Sequence, residues 1–300
     1  MREYDYMVSV FMLTYQHANY IRQALDSVLM QKVNFRYEIV IGDDCSSDGT
    51  QEILLEYKER YPDKIHLMLN KRNIGATGNS IRVLKHCRGK YIAILEGDDF
   101  WTDDRKLQIQ VDFLEQNPEY SACYHHTDVI GNDKKRCRTY KMARYDIDGY
   151  DRYFANIPSL PAPSFMMRNI YLENDYYRYY RTRFVGDRIT QALLLKHGKI
   201  KYIDKKMCTY RFITNGSSSY SSQSNVIRQR DYIQALKIQR EIVPEKYYDT
   251  ISEIILQRYK DVMQSLLGDR KYKEVLVYWW SDLTGKEKIK FIRRIIGRSI

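Results

Sequence analysis

Residues 91–101 read YIAILEGDDFW, a short apolar run followed by three carboxylates within four positions. The run 91–95 has the composition of a buried β-strand, and Glu96, Asp98 and Asp99 follow it directly. Like charges this close resist burial unless a cation lies among them. The stretch therefore predicts a buried strand whose carboxyl end carries a cation site.

Strands and helices alternate along the first 120 residues. Apolar and β-branched runs predict strands at 8–13, 37–44, 65–70 and 90–95, and helical spacing of apolar residues predicts helices at 20–31, 48–62, 80–87 and 104–118. Asp48 or Thr50 starts the second helix, and Asp103 or Asp104 caps the fourth. This alternation predicts an α/β fold with a doubly wound, mostly parallel sheet.

Polar clusters follow three of the predicted strands at the point where each strand ends. Thr14, Tyr15 and Gln16 follow the first strand, Asp43 and Asp44 follow the second, and the acids at 96–99 follow the fourth. Ligands of such sheets bind beyond the carboxyl ends of the strands. We therefore expect these clusters to line one site.

The composition is that of a folded protein with an anionic partner. The chain of 300 residues is 44% hydrophobic and 29% charged, with a formal net charge of +11. Its five cysteines are scattered, which favours a reducing compartment over a disulfide framework or a zinc site. The pattern predicts neither a signal peptide nor a membrane span, so we expect a cytoplasmic protein.

The middle of the chain, roughly residues 120–220, is less regular and rich in tyrosine, and helical patterns follow it. A helix is predicted at 187–197, and from about residue 225 only helical patterns follow, so we predict a first domain at 1–222 and a helical extension at 223–300. The tail 285–300 carries six positive charges and one negative, with isoleucines at helical spacing. It is open whether this tail packs on its own domain or binds an anionic membrane surface at the inner face of the membrane. Nucleic acid is not expected.

Familiar phosphate-binding loops are missing from the sequence. Neither G-x-x-x-x-G-K-[ST] nor G-x-G-x-x-G after a strand occurs, which argues against a P-loop enzyme and a dinucleotide-binding dehydrogenase. A sugar-nucleotide pyrophosphorylase would carry a glycine-rich basic loop after the first strand, where this chain has TYQHANY. A phosphate-rich ligand would instead be held through a divalent metal on carboxylates, which suits Asp98 and Asp99.

Three segments resemble the family 2 glycosyltransferases, which act on nucleotide-diphospho-sugars and have the GT-A fold. They are VSVFMLTYQHANYIRQALDSVLMQ (8–31), EIVIGDDCSSDGT (38–50) and NIGATGNSIRVLKHCRGKYIAILEGDDFW (73–101). The resemblance covers residues 6–115 well and extends more weakly to about residue 220. It differs from the family pattern at Leu13, Gln16 and Glu96, where the family usually has Pro, Asn and Asp.

The resemblance implies a role for each candidate residue. Thr14 and Tyr15 would line the base pocket, Asp43 or Asp44 would contact the base or ribose, and Glu96, Asp98 and Asp99 would form the metal motif that also binds the nucleotide. Asp187 would be the catalytic base, Arg211 would meet the diphosphate or pair with a surface acid, and Arg72 would approach the nucleotide. Apart from the resemblance, the position of Trp101 just after the acids predicts that it either stacks on a sugar at the acceptor site or packs under the loop.

The resemblance implies that the protein is an inverting, metal-dependent glycosyltransferase. It would use Mn²⁺ or Mg²⁺ to transfer a sugar from a nucleotide-sugar donor to a hydroxyl of a glycan or lipid-linked glycan acceptor, in bacterial surface polysaccharide or glycan assembly. The alternative is a non-catalytic basic module that binds nucleic acid or scaffolds a membrane complex. In that case the acids would be dispensable and binding would fall steeply with salt.

Overall fold

The structure is a computed structural model that describes residues 4–131, 135, 141–182, 186–212 and 223–268. The chain divides into two compact units, residues 1–222 and residues 223–300. The first unit is built around one sheet, and the described part of the second is helical.

The first unit contains a mixed sheet of eight strands. They are β1 (Val8–Thr14), β2 (Tyr37–Asp43), β3 (Ile65–Leu69), β4 (Tyr91–Ile94), β5 (Phe100–Trp101), β6 (Tyr120–Ile130), β7 (Met166–Arg168) and β8 (Lys199–Arg211). Their order across the sheet is β3-β2-β1-β4-β7-β6-β8-β5. β7 and β5 run against their neighbours, and the other six strands share one direction. This confirms the predicted α/β fold with a mostly parallel sheet.

Helices surround the sheet, and the alternating pattern predicted the first four of them. They are α1 (Ile21–Leu29), α2 (Thr50–Arg60), α3 (Gly75–Leu84), α4 (Lys106–Gln116), α5 (Tyr150–Ala155) and α6 (Gly186–His197). β1 and β2 are buried along almost their whole length because helices shield both faces, which explains why their sequences are continuously apolar. Val10, Ile39 and Ala93 from three adjacent strands belong to the same buried core.

Helix α3 begins at Gly75, well before the predicted start at residue 80. Its first backbone N–H groups are bound by a carboxylate that is distant in sequence: Asp44 accepts from Ile74 N (2.8 Å) and from Gly75 N (2.9 Å). Free N–H groups at the start of a helix need such acceptors. The cap lies at the end of β2, so the local sequence does not reveal it.

The short strand β5 brings the acidic turn next to the end of β8. Phe100 pairs with Thr209 and Trp101 pairs with Cys208 in antiparallel register. As a result Arg211, at the end of β8, lies beside the acids that precede β5. The sequence pattern predicts neither β5 nor β7, since both are too short to show an alternation.

The second unit contains α7 (Asn225–Gln239) and α8 (Tyr248–Gly268), in agreement with the helices predicted there. Ser224 caps α7 by accepting from Ile227 N. Among the described helices, none is both long enough and apolar enough to cross a bilayer. The rest of the predicted helical extension, including the basic tail at 285–300, lies outside the described residues.

Candidate active site

Three carboxylates converge at the carboxyl end of β4. Glu96, Asp98 and Asp99 each offer one oxygen, and these oxygens lie within 4.8 Å of one another. The turn that carries them is fixed to the end of β1, because the backbone N–H of Gly97 donates to the carbonyl of Leu13 (2.9 Å). We call these three residues the acid triad.

The charges of the acid triad oppose one another. Burial, and then the negative charges of Asp98 and Asp187, raise the pKa of Glu96 to about 8. Burial, followed by the charges of Asp98 and Glu96, raises the pKa of Asp99 well above its ordinary value. A cation among the three carboxylates would remove this repulsion.

Asp99 supplies the direct test of whether the acid triad fits a metal. Its side chain is fully buried, and Oδ1 accepts the backbone N–H of Arg211 (2.7 Å). Its second oxygen, Oδ2, is buried without a hydrogen-bond partner among the described residues. Leaving such an oxygen unsatisfied is costly, and carboxylate oxygen is the donor that Mg²⁺ and Mn²⁺ prefer. The residues present therefore fit a divalent ion.

Arg211 holds the acid triad from the side of β8. Its guanidinium donates to the carbonyl of Asp98 and to Gln23 Oε1 (2.5 Å). The guanidinium carbon also lies 4.8 Å from the ring centre of Tyr20 and 4.7 Å from that of Phe100. Burial lowers the pKa of Arg211, and the charges of Asp99 and Asp98 oppose that change. These contacts favour a role in fixing the acid loop, and the predicted contact with a diphosphate stays a prediction.

The end of β1 places two more polar atoms beside the triad. Thr14 Oγ1 and His17 Nδ1 are buried and have no hydrogen-bond partner among the described residues. A Cβ on Gly97 would lie 3.0 Å from the first and 2.8 Å from the second, so a side chain between the acids would collide with both. His17 Nε2 also lies 3.9 Å from Asp98 Oδ2. His17 was not among the residues predicted from the sequence, where its one signal is its position in the loop after β1.

Asp43 and Asp44, at the end of β2, are occupied by the protein itself. Asp43 accepts from the backbone and hydroxyl of Ser46 and from Gln51 Nε2 (2.6 Å). Besides capping α3, Asp44 accepts from Asn70 Nδ2 (2.9 Å). Every carboxylate oxygen of the pair therefore has an internal partner. This arrangement favours a role in shaping the loop, and the predicted contact with base or ribose stays a prediction.

Tyr15 and Arg72 lie in the loops that surround this end of the sheet. Tyr15 is half-buried in the loop after β1, and Arg72 is exposed in the loop between β3 and α3. Both positions are at the carboxyl ends of strands, where the nucleotide was expected. Their roles as nucleotide contacts stay predictions.

Asp187 lies at the second residue of α6, close enough for its charge to raise the pKa of Glu96. Its side chain is 52% exposed, and Oδ2 lies 3.8 Å from Nε of Arg188. The structure thus brings the expected base to the same rim as the acid triad, with a carboxylate open to solvent. An exposed carboxylate beside the triad can accept a proton from a bound hydroxyl.

Trp101 lies in the core, so the suggestion that it stacks on a sugar is wrong. It is 1% exposed, its indole N–H donates to Pro163 O (2.9 Å), and Lys106 Nζ lies 4.2 Å from the ring centre. The aromatic side chain of this pair that reaches the rim is Phe100, which packs on Arg211. Side chains alternate along a strand, so neighbouring residues point to opposite faces. This explains why Phe100 lies at the rim while Trp101 lies in the core.

Comparisons with known proteins agree with this geometry. The chain is 33% identical over 129 residues to an Escherichia coli protein named UDP-Glc:alpha-D-GlcNAc-diphosphoundecaprenol beta-1,3-glucosyltransferase WfgD, which covers 43% of this chain and 49% of that protein. The chain spans about half or less of the length of the curated relatives that it matches.

Solved structures share the fold, among them the following two. TarS 1–349 of S. aureus in complex with UDP superposes with a TM-score of 0.62 at 18% identity, covering 84% of this chain and 72% of that one. The mannosyltransferase PcManGT of Pyrobaculum calidifontis, in complex with GDP-Man and Mn²⁺, superposes with a TM-score of 0.61 at 14% identity, covering 100% of this chain and 84% of that one. The fold is therefore GT-A. The family model Glycosyl transferase family 2 matches residues 9–175, more than half of the chain, and the chain belongs to that family.

Proposed function

We propose that this protein is an inverting, metal-dependent glycosyltransferase that moves a sugar from a nucleoside-diphosphate sugar to an acceptor hydroxyl. The observation that carries the proposal is the acid triad with the buried, unpartnered oxygen of Asp99, next to the exposed carboxylate of Asp187. Membership of family 2 supports transfer from a nucleotide sugar.

The reaction is a single displacement at the anomeric carbon. The acceptor oxygen forms a bond to that carbon while the bond from the carbon to the diphosphate oxygen breaks, and the electron pair leaves with the nucleoside diphosphate. Asp187 takes the proton of the acceptor hydroxyl. Attack from the face opposite the leaving group inverts the configuration. Positioning supplies much of the rate, and no covalent intermediate is needed.

Asp98 and Asp99, with Glu96 beside them, would hold the divalent ion, whose charge stabilises the departing diphosphate. Arg211 keeps the two aspartates in place through the carbonyl of Asp98 and the carboxylate of Asp99. Thr14, Tyr15 and Arg72 would contact the nucleotide, beside the loop residues Asp43 and Asp44. Mn²⁺ in the solved mannosyltransferase supports the choice of metal.

The proposed donor is a uridine or guanosine diphosphate sugar, in keeping with the UDP and GDP-Man bound by the two structural neighbours. The proposed acceptor is a glycan or lipid-linked glycan, as the name of the E. coli relative indicates for that protein. Such an acceptor would place the enzyme in surface polysaccharide or glycan assembly, in the cytoplasm at the inner face of the membrane.

Nucleotide titration tests the proposal. UDP, GDP and dTDP are titrated against the full chain with and without Mn²⁺, and then against Asp98→Asn. We expect one nucleotide to bind in a metal-dependent way and Asp98→Asn to abolish that dependence. Asp104→Asn, which removes an exposed acid paired with Lys32, is the matched control and should bind as the unaltered chain does. Equal binding by Asp98→Asn would contradict the metal site.

Turnover provides the second test. UDP-glucose, UDP-N-acetylglucosamine and GDP-mannose are compared for Mn²⁺-dependent release of the nucleotide, and the released sugar is analysed by NMR before it mutarotates. We expect the best donor to give a sugar of inverted configuration, and Asp187→Asn to lower kcat by a hundredfold or more. Retained configuration would exclude a single displacement.

A further inference from the structure

A chain of buried hydroxyl groups reaches the backbone that carries Asp187. The hydroxyl of Tyr171 is hydrogen-bonded to that of Tyr180, which in turn lies 2.6 Å from Thr190 Oγ1. Thr190 then donates to the carbonyl of Gly186 (3.0 Å), the residue before Asp187. The three hydroxyl-bearing residues are each less than a tenth exposed. We call these three residues the hydroxyl chain.

The ring of Tyr180 holds the same point of the backbone by packing. A Cβ on Gly186 would lie 3.3 Å from two carbons of the Tyr180 ring, so the glycine lets the ring lie close against the start of α6. Burial raises the pKa of the Tyr180 hydroxyl, and the negative charge of Asp187 adds to that rise. The start of α6 is therefore fixed by one hydrogen-bonded chain and one ring.

Arg188, the residue after Asp187, also restrains its position. Arg188 donates to the carbonyl of Pro158, and its Nε lies 3.8 Å from Asp187 Oδ2. The carboxylate itself remains 52% exposed. Its position thus depends on the backbone at Gly186 and Asp187, since the side chain is not packed in the core.

We propose that Tyr180 and Thr190 are positioning residues that set the place of the Asp187 carboxylate relative to the acid triad. This inference rests on the proposed function, in which Asp187 takes the proton from the acceptor hydroxyl. A base that is displaced by about 1 Å can lose two orders of magnitude in rate while substrate binding is unchanged. The hydroxyl chain therefore affects kcat rather than donor affinity.

The opposite end of the same helix offers a matched control. The hydroxyl of Tyr176 lies 2.8 Å from Nε2 of His197, the last residue of α6. His197 follows Asp187 by ten residues, which is about 15 Å along a helix. Tyr176→Phe thus removes one tyrosine hydroxyl from a contact with α6, as Tyr180→Phe does, but far from the base.

The experiment compares four variants of the full chain: Tyr180→Phe, Thr190→Val, Thr190→Ser and Tyr176→Phe. The readouts are kcat and KM for the panel donor with the highest turnover, the Kd of its nucleoside diphosphate with Mn²⁺, and Tm. We expect Tyr180→Phe and Thr190→Val to lower kcat about tenfold, with KM and Kd within about twofold of the unaltered chain. Thr190→Ser keeps the hydroxyl and should retain most of kcat.

Tyr176→Phe should lower Tm as much as Tyr180→Phe does while kcat stays within about twofold. Equal kcat for Tyr180→Phe and Tyr176→Phe would overturn the inference, as would a loss in Tyr180→Phe that appears in KM alone. If Thr190→Val does not fold, Tyr180→Phe and Thr190→Ser still decide the question. Both keep a hydroxyl at position 190 that can donate to the carbonyl of Gly186.

Asp187→Asn separates this inference from the proposed function. If Asp187→Asn is inactive and Tyr180→Phe is fully active, only the positioning role fails. If Asp187→Asn is fully active, the assigned base is wrong and the inference falls with it. If Asp187 is the base and Tyr180 positions it, adding Tyr180→Phe to Asp187→Asn should cause no further loss of kcat, because the two residues act through one step.

Discussion

Lys106 is a fully buried lysine at the start of α4. Its ammonium donates to Gln110 Oε1 (2.7 Å) and lies over the Trp101 ring, yet burial lowers its pKa to about 8. Among the residues that the structure describes, no carboxylate contacts the ammonium of Lys106. A cation without a counter-ion destabilises a folded chain, and the hydrogen bond and the ring offset only part of that cost.

The pKa of Lys106 predicts a pH-dependent stability. Between pH 8 and about 10.5 the unfolded chain binds more protons at this lysine than the folded chain does, so the free energy of unfolding contributed by Lys106 rises with pH over that window. Measured as the difference between the unaltered chain and Lys106→Met, the rise should be on the order of 3 kcal/mol. Denaturant unfolding from pH 7 to 10.5 provides the measurement.

Lys32→Met is the control, because it removes an exposed lysine from the surface pair with Asp104. The control separates the loss of a buried cation from the loss of net charge. A difference between the unaltered chain and Lys106→Met that stays constant from pH 7 to 10.5 would mean that Lys106 is not held in a low-dielectric site.

Cys45 has an unfavourable backbone conformation at the edge of the candidate site. Its φ is 66°, in the left-handed region where a Cβ costs energy, and it follows Asp43 and Asp44. We expect Cys45→Gly to be more stable than Cys45→Ala by about 1 kcal/mol, because both remove the thiol and only glycine relieves the strain. Chemical denaturation of the two variants measures this, and equal stability would refute the strain.

At the scale of secondary-structure elements, the end of β8 stabilises the turn between β4 and β5. Arg211 bonds to that turn through its own backbone N–H and through its guanidinium, which lies between the rings of Tyr20 and Phe100. Lysine would keep the charge, but it lacks the planar group that stacks on two rings while donating to two acceptors. The geometry of the turn thus depends on arginine.

Arg211→Lys should therefore weaken metal binding. We expect the Kd for Mn²⁺, measured by EPR of the free ion with UDP present, to rise about tenfold, equivalent to roughly 1.4 kcal/mol. Lys206→Gln is the control, since it removes a cation from the same strand where it pairs with Asp128. An unchanged Kd in Arg211→Lys would show that charge alone acts on the acids. An equal rise in Lys206→Gln would show that the effect is not specific to Arg211.

The local sequence pattern predicted those elements whose burial is visible in the pattern of their own residues. β1, β2 and β4 are buried on both faces, and their continuous apolar runs predicted them and the polar clusters at their ends. The true start of α3 depends on Asp44, and the fixed position of Arg211 depends on Tyr20 and Phe100. Such contacts join residues that are distant in sequence, so a pattern within one element cannot reveal them.

At the scale of the whole molecule, topology explains why the acids meet. β1, β2 and β4 are parallel neighbours, so their carboxyl ends lie at one edge of the sheet. The charge of Asp187, at the start of α6, adds to the rise that burial and Asp98 cause in the pKa of Glu96, so α6 begins near the same edge. The sequence predicted the convergence from the alternation of strands and helices, while the choice between Trp101 and Phe100 at the rim required the structure.

The excess of positive charge leads to a prediction for the full chain. The formal net charge is +11, and the segment 285–300 contributes six cations against one acid. A basic segment with isoleucines at helical spacing favours anionic lipid, with about 1 kcal/mol for each cation near the surface. We expect the full chain to co-sediment with phosphatidylglycerol vesicles at 50 mM salt and to be released at 500 mM. Pure phosphatidylcholine vesicles should not retain it.

Replacing Lys288, Lys290, Arg293 and Arg294 by glutamine should lower the affinity for these vesicles by a hundredfold or more. The change removes four positive charges from the electrostatic attraction between the protein and the anionic lipid. Metal-dependent binding of the nucleotide should be unchanged, since the acid triad and Arg211 are intact. A variant that still binds the vesicles would place the membrane contact elsewhere on the basic surface. Tight binding of duplex DNA by the unaltered chain at 150 mM salt, lost in the same variant, would instead favour the nucleic-acid alternative.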